Sequence, residues 1–368
     1  MAMDKLFTPA YIGNLKIPNR LVRSATAERM ADLSDGKPQP RLTEMYRQLV
    51  RGGVGLIITG HMYIHPQGKA HSGMTGIYAD ELIAPLSELT KAVHQEGGLI
   101  AAQINHGGMM CPPECVQRAL APSDIESPFI PQVAYKMNED EIEEAIQAFG
   151  QAARRAREAG FDSVQIHAAH GYLNSEFLSP WANRREDCWG GAMPQRLRFL
   201  RAVCAEVRSQ VDTDYPVFIK LGMLDGVKGG LTVEESLSIL PELQGMGLDA
   251  VEISSGINGE KKLSSQMGIR NEQDEGYFLP IVRRARHLTT LPILTVGGFR
   301  SRRVMEQVLQ NNEADFISLC RPLILEPDLP NRFRLGLQEK SRCISANNCW
   351  ESTPGEGISC KCPLDKIT

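Results

Sequence analysis

The sequence predicts an α/β fold, a closed (β/α)8 TIM barrel of parallel strands. Short apolar, β-prone runs alternate eight times with segments of helical periodicity along the 368 residues. Strands that alternate with helices form parallel sheets, and eight such units with right-handed crossovers close into a barrel. The connections that follow the strands are also the long ones, as expected where loops build a pocket at one face of a barrel.

Each element is predicted from its apolar pattern and its flanking residues. The predicted strands are Leu21–Ala25, Val54–Thr59, Leu99–Ile104, Ser163–His167, Val217–Leu221, Ala250–Ser254, Ile293–Val296 and Phe316–Leu319. The predicted helices are Arg41–Arg51, Glu81–Glu96, Glu139–Ala159, Pro194–Val211, Val233–Met246, Tyr277–His287, Arg302–Leu309 and Asp328–Leu337. Asn138 caps the third helix and Gly160 ends it. We therefore divide the chain into a barrel over residues 1–340 and a cysteine-containing tail over residues 341–368.

Composition excludes several classes of protein. Lys plus Arg total 40 and Asp plus Glu total 44, a net charge of −4 that gives no support for a nucleic-acid partner. No apolar run approaches the roughly 20 residues of a membrane span, and the N-terminus lacks the pattern of a secretory signal. The nine cysteines are an odd number spread through a long chain, which argues against a disulfide scaffold. We expect a cytoplasmic protein, and the sequence leaves its oligomeric state, including a homo-oligomer, open.

The fourth predicted strand ends in the most informative motif of the chain, His167-Ala-Ala-His170-Gly-Tyr172. Two imidazoles and a phenol thus follow the carboxyl end of a strand, where parallel α/β proteins carry their chemistry. A zinc site and a merely packed polar pair are alternative interpretations of His167 and His170, and Tyr172 could be a packing residue. No metal is predicted here because no third ligand lies nearby in the sequence.

A phosphate site is predicted at the ends of the last two strands. Gly297 and Gly298 follow strand seven and precede a helix, and Arg321 follows strand eight. Loops seven and eight of a barrel, with a helix N-terminus, commonly hold a phosphate. A simple tight turn is the alternative interpretation of the glycine pair.

These motifs resemble those of the old yellow enzyme family of FMN-dependent oxidoreductases. The resemblance covers nearly the whole chain and points to the branch that contains NADH:flavin oxidoreductases and 2,4-dienoyl-CoA reductase-like proteins. It rests on Leu6-Phe-Thr-Pro9, Ile12-Gly-Asn-Leu15, Asn19-Arg20 with Ser24-Ala-Thr26, residues 52–58, Gln103-Ile-Asn-His106-Gly-Gly108, the His167 motif, Phe177-Leu-Ser-Pro180, Asn183-Arg184, Gly190-Gly191, Arg196, Gly297-Gly298 and Arg321-Pro322.

The resemblance implies FMN as cofactor and NADH or NADPH as reductant, without distinguishing the two. The positions it assigns to FMN are Ser24, Ala25, Thr26 and Ala27 against the ring, Gly60 behind it, Gln103 at the pyrimidine edge, Lys220 near N1, and Gly297, Gly298, Cys320 and Arg321 at the phosphate. Lys220 stands where the family usually has arginine, and Cys320 where glycine is common.

The implied function is an ene-reductase that transfers hydride from NAD(P)H through the flavin to an activated C=C bond, such as that of an enone or enoyl compound. His167 and His170 would bind the electron-withdrawing oxygen and Tyr172 would supply the proton. Glu28 and Arg29 occupy positions that often face the substrate in this family, which hints at a polar or charged substrate. The alternatives are an amine or hydroxyl-compound dehydrogenase that passes electrons to a carrier protein, and a non-enzymatic flavin-binding module.

Four cysteines, at positions 343, 349, 360 and 362, crowd the tail. Larger relatives bind an iron–sulfur cluster through four cysteines in this region, but Ala346 stands where one ligand would be expected. The spacing fits neither a ferredoxin-type run nor a pair of C-x-x-C zinc motifs. A degenerate remnant is therefore favoured, with zinc or an iron–sulfur cluster left open.

Overall fold

A computed structural model describes residues 4–127, 130–257, 263–350 and 355–362. Its centre is a cylinder of eight strands in chain order, each parallel to both neighbours and closed by the pairing of the third strand with the fourth. The strands are β1 (Leu21–Arg23), β2 (Leu56–Ile58), β3 (Ile100–Asn105), β4 (Ser163–Ala168), β5 (Val217–Gly222), β6 (Val251–Ser254), β7 (Ile293–Thr295) and β8 (Phe316–Leu319). The predicted barrel is confirmed, and each strand lies within two residues of its predicted bounds at either end.

The helices form the outer layer around this cylinder. They are α1 (Pro40–Arg51), α2 (Ile83–Gln95), α3 (Glu139–Glu158), α4 (Leu173–Leu178), α5 (Met193–Arg196), α6 (Arg198–Ser209), α7 (Val233–Leu237), α8 (Leu279–Arg286), α9 (Arg302–Gln310), α10 (Arg321–Leu325) and α11 (Leu329–Arg334). Within the described ranges, no helix combines the length and the apolar character that crossing a bilayer requires.

Two predicted helices are interrupted in the structure. The segment predicted over Val233–Met246 ends as an α-helix at Leu237 and continues as a short 3-10 turn, Leu240–Glu242. Pro241 has no amide hydrogen and its ring crowds the preceding turn, so the α-helical ladder cannot pass through it. The segment predicted over Pro194–Val211 divides into α5 and α6 at Leu197. Asn138 closes a capping box with Glu141 at the start of α3, as its position predicted.

Several small elements lie outside the predicted pattern. An antiparallel hairpin joins Ala10–Ile12 to Leu15–Ile17 before the first barrel strand. The long connection after β3 carries a three-stranded sheet, formed by Ala119–Ala121, Ile125–Glu126 and Val133–Lys136. A two-residue strand, Met62–Tyr63, extends the barrel sheet beside β3. These strands have four residues or fewer and lie outside the eight strand–helix repeats on which the prediction was based.

The inside of the barrel is layered. Alternate residues of a strand point to opposite faces, and the inward-facing residues nearest the amino ends form an apolar cluster that includes Val22, Leu56, Phe218 and Phe316. The N-terminal hairpin belongs to the same cluster through Ile12 and Ile17. The hairpin therefore plugs the amino-terminal end of the barrel, and the outward-facing residues pack against the helices.

We predict that this plug contributes substantially to stability. Ile12 is fully buried, whereas its neighbour Tyr11 is 53% exposed. Ile12→Ala should lower the free energy of unfolding by roughly 2–5 kcal/mol, because it removes buried methyl groups and leaves a cavity. Tyr11→Ala in the same strand is the matched control and should change it by no more than about 0.5 kcal/mol. Urea denaturation followed by far-UV circular dichroism measures both values, and equal losses would contradict a plugging role.

Candidate active site

A cavity of about 380 Å³ lies at the carboxyl ends of the barrel strands. Eleven of the residues predicted from the sequence line it: Ser24, Ala25, Thr26, Ala27, Arg29, Gln103, His167, His170, Tyr172, Lys220 and Cys320. The other lining residues are His61, Ala70, His71, Met110, Ile130, Ser254, Ser264, Val296, Trp350 and Ile358. All eight strands thus contribute from their carboxyl ends or from the segments that follow. A larger surface groove, about 1450 Å³ and bordered by α8 and α9, has no such relation to the barrel.

The sharp turn after β4 brings the two predicted imidazoles and the phenol together. His170 and Gly171 both adopt positive φ angles, 64° and 79°, so the chain reverses before α4 begins. The rings of His167 and His170 have centroids 5.2 Å apart, and the rings of His167 and Tyr172 are 4.9 Å apart. A positive φ is costly in a residue other than glycine, and such strain is commonly retained at functional sites.

Burial holds these imidazoles in their neutral form. Desolvation, with smaller contributions from Lys220 and His61, lowers the pKa of His170 to about 3. Desolvation likewise lowers the pKa of His167 well below its usual value. Nδ1 of His167 accepts a hydrogen bond from the amide of Ala169 at 3.2 Å, so the neutral ring carries its proton on Nε2. Nε2 of His170 lies 2.7 Å from Oγ of Ser254.

A polar layer separates the cavity from the apolar interior of the barrel. Lys220 and Glu252 are register neighbours on β5 and β6, and Nζ of Lys220 lies 3.0 Å from Oε2 of Glu252. Ser24 donates to the same carboxylate at 2.7 Å and Gln165 at 2.9 Å, while Gln103 donates to Gln165 at 2.6 Å. One hydrogen-bonded network therefore joins side chains from β3, β4, β5 and β6 to the segment after β1.

The ion pair in this layer is almost completely buried, with Lys220 3% and Glu252 0% exposed. Burial alone would raise the pKa of the Glu252 carboxyl. The Lys220 ammonium and the hydrogen bonds from Ser24 and Gln165 outweigh burial and lower that pKa. Glu252 is consequently ionised, and its charge balances that of Lys220.

Glu28 is held by hydrogen bonds within the protein, one of them from the amide of Gly60. The carboxylate of Glu28 pairs with Arg23 at 2.8 Å and accepts from the Tyr46 hydroxyl and the Gly60 amide, and neither Glu28 nor Gly60 lines the cavity. A Cβ atom at Gly60 would lie 1.9 Å from Oε2 of Glu28. The same Cβ atom would lie 2.6 Å from the backbone oxygen of Thr26, so both the Glu28 side chain and the segment after β1 favour glycine at position 60.

A smaller pocket of about 50 Å³ adjoins the cavity and shares Ser264, Val296, Cys320 and Trp350 with it. It contains the predicted phosphate residues Gly298, Cys320 and Arg321, whereas Gly297 lines neither space. The amides of Gly298 and Phe299 donate to none of the described residues. Gly298 has a φ of 74°, and a Cβ atom there would lie 3.0 Å from the Tyr277 ring.

Two amides that immediately precede α9 are already bonded within the protein. Glu275 accepts from the amides of Arg300 and Ser301 at 2.8 Å each. Those two donors are thus engaged and are not free to bind a phosphate. The unbonded amides of Gly298 and Phe299, the buried and unpartnered Oγ of Ser318 and the guanidinium of Arg321 remain as candidate ligands.

The two adjoining spaces fit FMN. The polar floor of Ser24, Gln103 and Lys220 offers donors and acceptors to the edge of a flavin ring, and the small pocket offers donors to a phosphate. Thr26 contributes a hydroxyl that lies 3.0 Å from Sγ of Cys320, at the border between the two spaces. The cysteine thiol, in the place of the usual glycine, is therefore accommodated by contact with the segment after β1.

The tail packs across the mouth of the barrel. Asn347 accepts from Arg321 at 2.8 Å and from Ser265 at 3.0 Å, and the Ile358 amide donates to the carbonyl of Glu28. Cys343 and Cys349 are buried, and burial raises the pKa of the Cys349 thiol to about 12. Over the described ranges, which include all four tail cysteines, no group of three or more His, Cys, Asp or Glu side chains is arranged to hold a metal ion.

The sequence analysis missed His61, His71 and the two tail residues of the cavity, Trp350 and Ile358. His61 follows the second predicted strand, and the rule that identified His167 would also have found it. Its ring lies 4.9 Å from that of Tyr172 and 5.4 Å from that of His71. The tail residues carried no comparable signal, because only the folded chain shows that the tail reaches the cavity.

Comparisons with known proteins agree with this architecture. A family model described as the NADH:flavin oxidoreductase / NADH oxidase family matches residues 5–340. The chain is 34% identical over 367 residues to an NADH oxidase of Thermoanaerobacter brockii, which covers 98% of this chain but only 56% of that protein. It is 33% identical to an NADPH dehydrogenase of Bacillus subtilis strain 168, over 88% of this chain and 92% of that protein. The structure of an old yellow enzyme homologue from Zymomonas mobilis superposes with a TM-score of 0.79 at 27% identity, over 92% of this chain and 95% of that one.

We predict strong energetic coupling between Lys220 and Glu252. Either Lys220→Met or Glu252→Leu leaves one uncompensated buried charge and should cost roughly 3–5 kcal/mol of unfolding free energy. The double variant removes both charges and should be clearly more stable than the sum of the two losses predicts. Urea denaturation of the four proteins gives the coupling energy. Additive losses would show that the two charges do not depend on each other.

Proposed function

Because the chain belongs to the NADH:flavin oxidoreductase / NADH oxidase family, we propose that it is an FMN-dependent ene-reductase that takes hydride from NADH or NADPH. The resemblance to the old yellow enzyme family is confirmed by these matches. The observation that carries the proposal is the grouping of His167, His170 and Tyr172 over a cavity whose floor is polar. FMN, when bound, would relay two electrons from the nicotinamide to the β-carbon of an activated alkene.

In this proposal, His167 and His170 bind the carbonyl oxygen that conjugates with the alkene. Negative charge develops on that oxygen as hydride is added, and N–H donors directed at it stabilise the charge. The Nε2–H of His167 is available because Nδ1 is occupied by the Ala169 amide. If the Ser254 hydroxyl donates to Nε2 of His170, the proton of that ring lies on Nδ1, which makes a second donor. Because both rings are neutral, they donate hydrogen bonds to the substrate oxygen without placing a positive charge in the site.

Tyr172 is proposed to deliver the proton to the α-carbon. Its side chain is 8% exposed and lies against the His61 and His167 rings, which restrict the position of the phenol. A phenol held in one place beside the substrate pocket suits general acid catalysis. Lys220 would stand near the pyrimidine edge of the flavin, with a charge already matched by Glu252.

One prediction from this proposal concerns the cofactor. The purified protein should bind FMN and show its yellow absorption, because the cavity and the adjoining pocket offer contacts to both ends of that molecule. Anaerobic addition of NADH or NADPH should bleach the absorption, and cyclohex-2-enone should restore it. Protein that takes up no FMN from an excess would refute the proposal. Bound FMN that neither nicotinamide reduces would instead favour an amine or hydroxyl-compound dehydrogenase.

Another prediction concerns the proton that Tyr172 is proposed to deliver to the α-carbon. Tyr172→Phe should slow reoxidation of the reduced enzyme by cyclohex-2-enone by roughly 10²–10⁴-fold, because the variant lacks the general acid but keeps the ring. Reduction by the nicotinamide requires no such proton and should be retained. Stopped-flow absorbance measures the two half-reactions separately. Tyr135→Phe changes a tyrosine that is 47% exposed and outside the cavity, and serves as the matched control. Reoxidation at the wild-type rate in Tyr172→Phe would reject the donor role.

A further inference from the structure

We propose that Arg29 and His71 form a second recognition point in the cavity, which binds a carboxylate carried by the alkene substrate. The inference rests on the proposed ene-reductase function and narrows its substrate class to unsaturated carbonyl compounds that bear an anionic oxygen group. His167 and His170 would bind the carbonyl, and Arg29 with His71 would bind the anion.

The charge of the cavity lining supports an anionic occupant. No aspartate or glutamate is found among the described residues that line it. Lys220 is matched by Glu252, and burial lowers the pKa of the lining imidazoles, that of His61 to about 4. Arg29 therefore contributes the positive charge that the lining itself does not balance, since a guanidinium stays protonated in proteins. A buried or half-buried cation without a counterion is a favourable partner for a carboxylate.

The backbone at Arg29 is held in a conformation that is costly for this residue. Its φ is 57°, and the guanidinium makes no hydrogen bond or ion pair with any other described residue. Glu28 is turned the opposite way and is engaged with Arg23, Tyr46 and Gly60. The fold thus accepts backbone strain and presents an unpaired guanidinium to the cavity. Such a combination indicates a functional constraint more than a packing requirement.

His71 provides an independent observation at the same end of the cavity. Both of its ring nitrogens are buried, and neither has a hydrogen-bond partner among the described residues. At least one of them carries a proton, and a buried donor without an acceptor costs roughly 1–3 kcal/mol. An oxygen of a bound carboxylate would supply the acceptor. Desolvation, reinforced by His61, Arg29 and Lys69, lowers the pKa of this ring, so it would act as a neutral donor beside the cation.

The rings also indicate how far the two recognition points are separated. The centroids of His167 and His61 are 6.0 Å apart, and those of His61 and His71 are 5.4 Å apart. The His61 ring therefore neighbours one ring of the proposed carbonyl site and one ring of the proposed carboxylate site. A short alkene with a carbonyl at one end and a carboxylate at the other, such as a 4-oxo-2-alkenoate, suits this arrangement.

The test compares (E)-4-oxopent-2-enoate with its methyl ester, which lacks the charge and carries an added methyl group, and follows how each variant changes the ratio between them. In the wild-type enzyme the carboxylate should be reduced with the higher kcat/KM. Arg29→Met should lower the acid-to-ester ratio of kcat/KM by roughly 10–100-fold, mainly through KM, as the loss of a charge-assisted hydrogen bond predicts. Arg29→Lys should retain part of the preference, and Arg29→Gln is a second neutral variant. Arg284→Met removes an equal charge from α8 outside the cavity and should leave the ratio as in wild type.

A binding measurement tests the proposed carboxylate site independently of the proposed ene-reductase activity. Calorimetric titration of the oxidised, FMN-loaded protein with 4-oxopentanoate and its methyl ester needs no turnover. Arg29→Met and His71→Leu should each weaken binding of the acid and leave that of the ester unchanged. Equal affinities for acid and ester, or an acid affinity unaffected by both substitutions, would overturn the inference. Absence of turnover with both cyclohex-2-enone and (E)-4-oxopent-2-enoate would instead refute the ene-reductase function.

A further comparison distinguishes the two sources of an anion. The phosphates of NADH or NADPH could occupy the same recognition point while the nicotinamide is bound. In that case Arg29→Met would raise the nicotinamide concentration needed for half-maximal reduction and leave the acid-to-ester ratio unchanged. That result would assign Arg29 to the reductant and overturn its assignment to substrate.

Discussion

The buried ion pair of Lys220 and Glu252 is the constraint on which the interior of the barrel depends. Two charges withdrawn from water are costly unless their remaining hydrogen-bonding groups are also satisfied. Here Ser24 and Gln165 complete the shell around the carboxylate, and Gln103 supports Gln165. Elements that are distant in the sequence must therefore keep a common register. The polar layer forms the floor of the cavity and ties these strands together.

The imidazoles in the upper part of the cavity are uncharged, in contrast to the ion pair in its floor. Its imidazoles are buried and neutral, and the strained turn at His170 and Gly171 sets their positions. The floor thus holds opposite charges that cancel, while the walls provide polar groups without charge. A ring system would lie between a hydrogen-bonding floor and neutral donors. Arg29, at the edge of this arrangement, is the exception whose charge remains uncompensated by the lining.

Much of the fold was predictable because the eight strands are apolar runs. Each run is followed by a segment of helical periodicity, and residues such as Asn138 and Gly160 mark where a helix begins and ends. The hairpin before β1 was missed, although Gly13 and Asn14 between two short runs with alternating apolar residues are a hairpin signal. The candidate site was predictable where a motif occupied one strand end, as at His167, and where the resemblance supplied a position, as at Lys220. Glu252 was not identified, because a carboxylate inside a strand is recognisable as an ion-pair partner only when its neighbouring strand is known.

Other differences have equally specific causes. A Cβ atom at Gly60 would meet both the Glu28 carboxylate and the backbone oxygen of Thr26. Glu275, which lies 26 residues before Ser301 in the sequence, accepts from two amides that precede α9. Both contacts join residues that are far apart in the sequence. Local patterns cannot reveal such contacts, whereas they do reveal strands, helices and the ends of strands.

The position of the tail determines where the chain can be shortened without removing part of the cavity wall. A boundary at residue 340 looks natural from the strand and helix pattern, yet Trp350 and Ile358 form part of the cavity wall and Asn347 holds Arg321. A shortened variant that ended at this boundary would retain all eight strands and lose one side of the pocket. All eight strands of the barrel therefore lie before residue 340, but the wall of the cavity extends to Ile358.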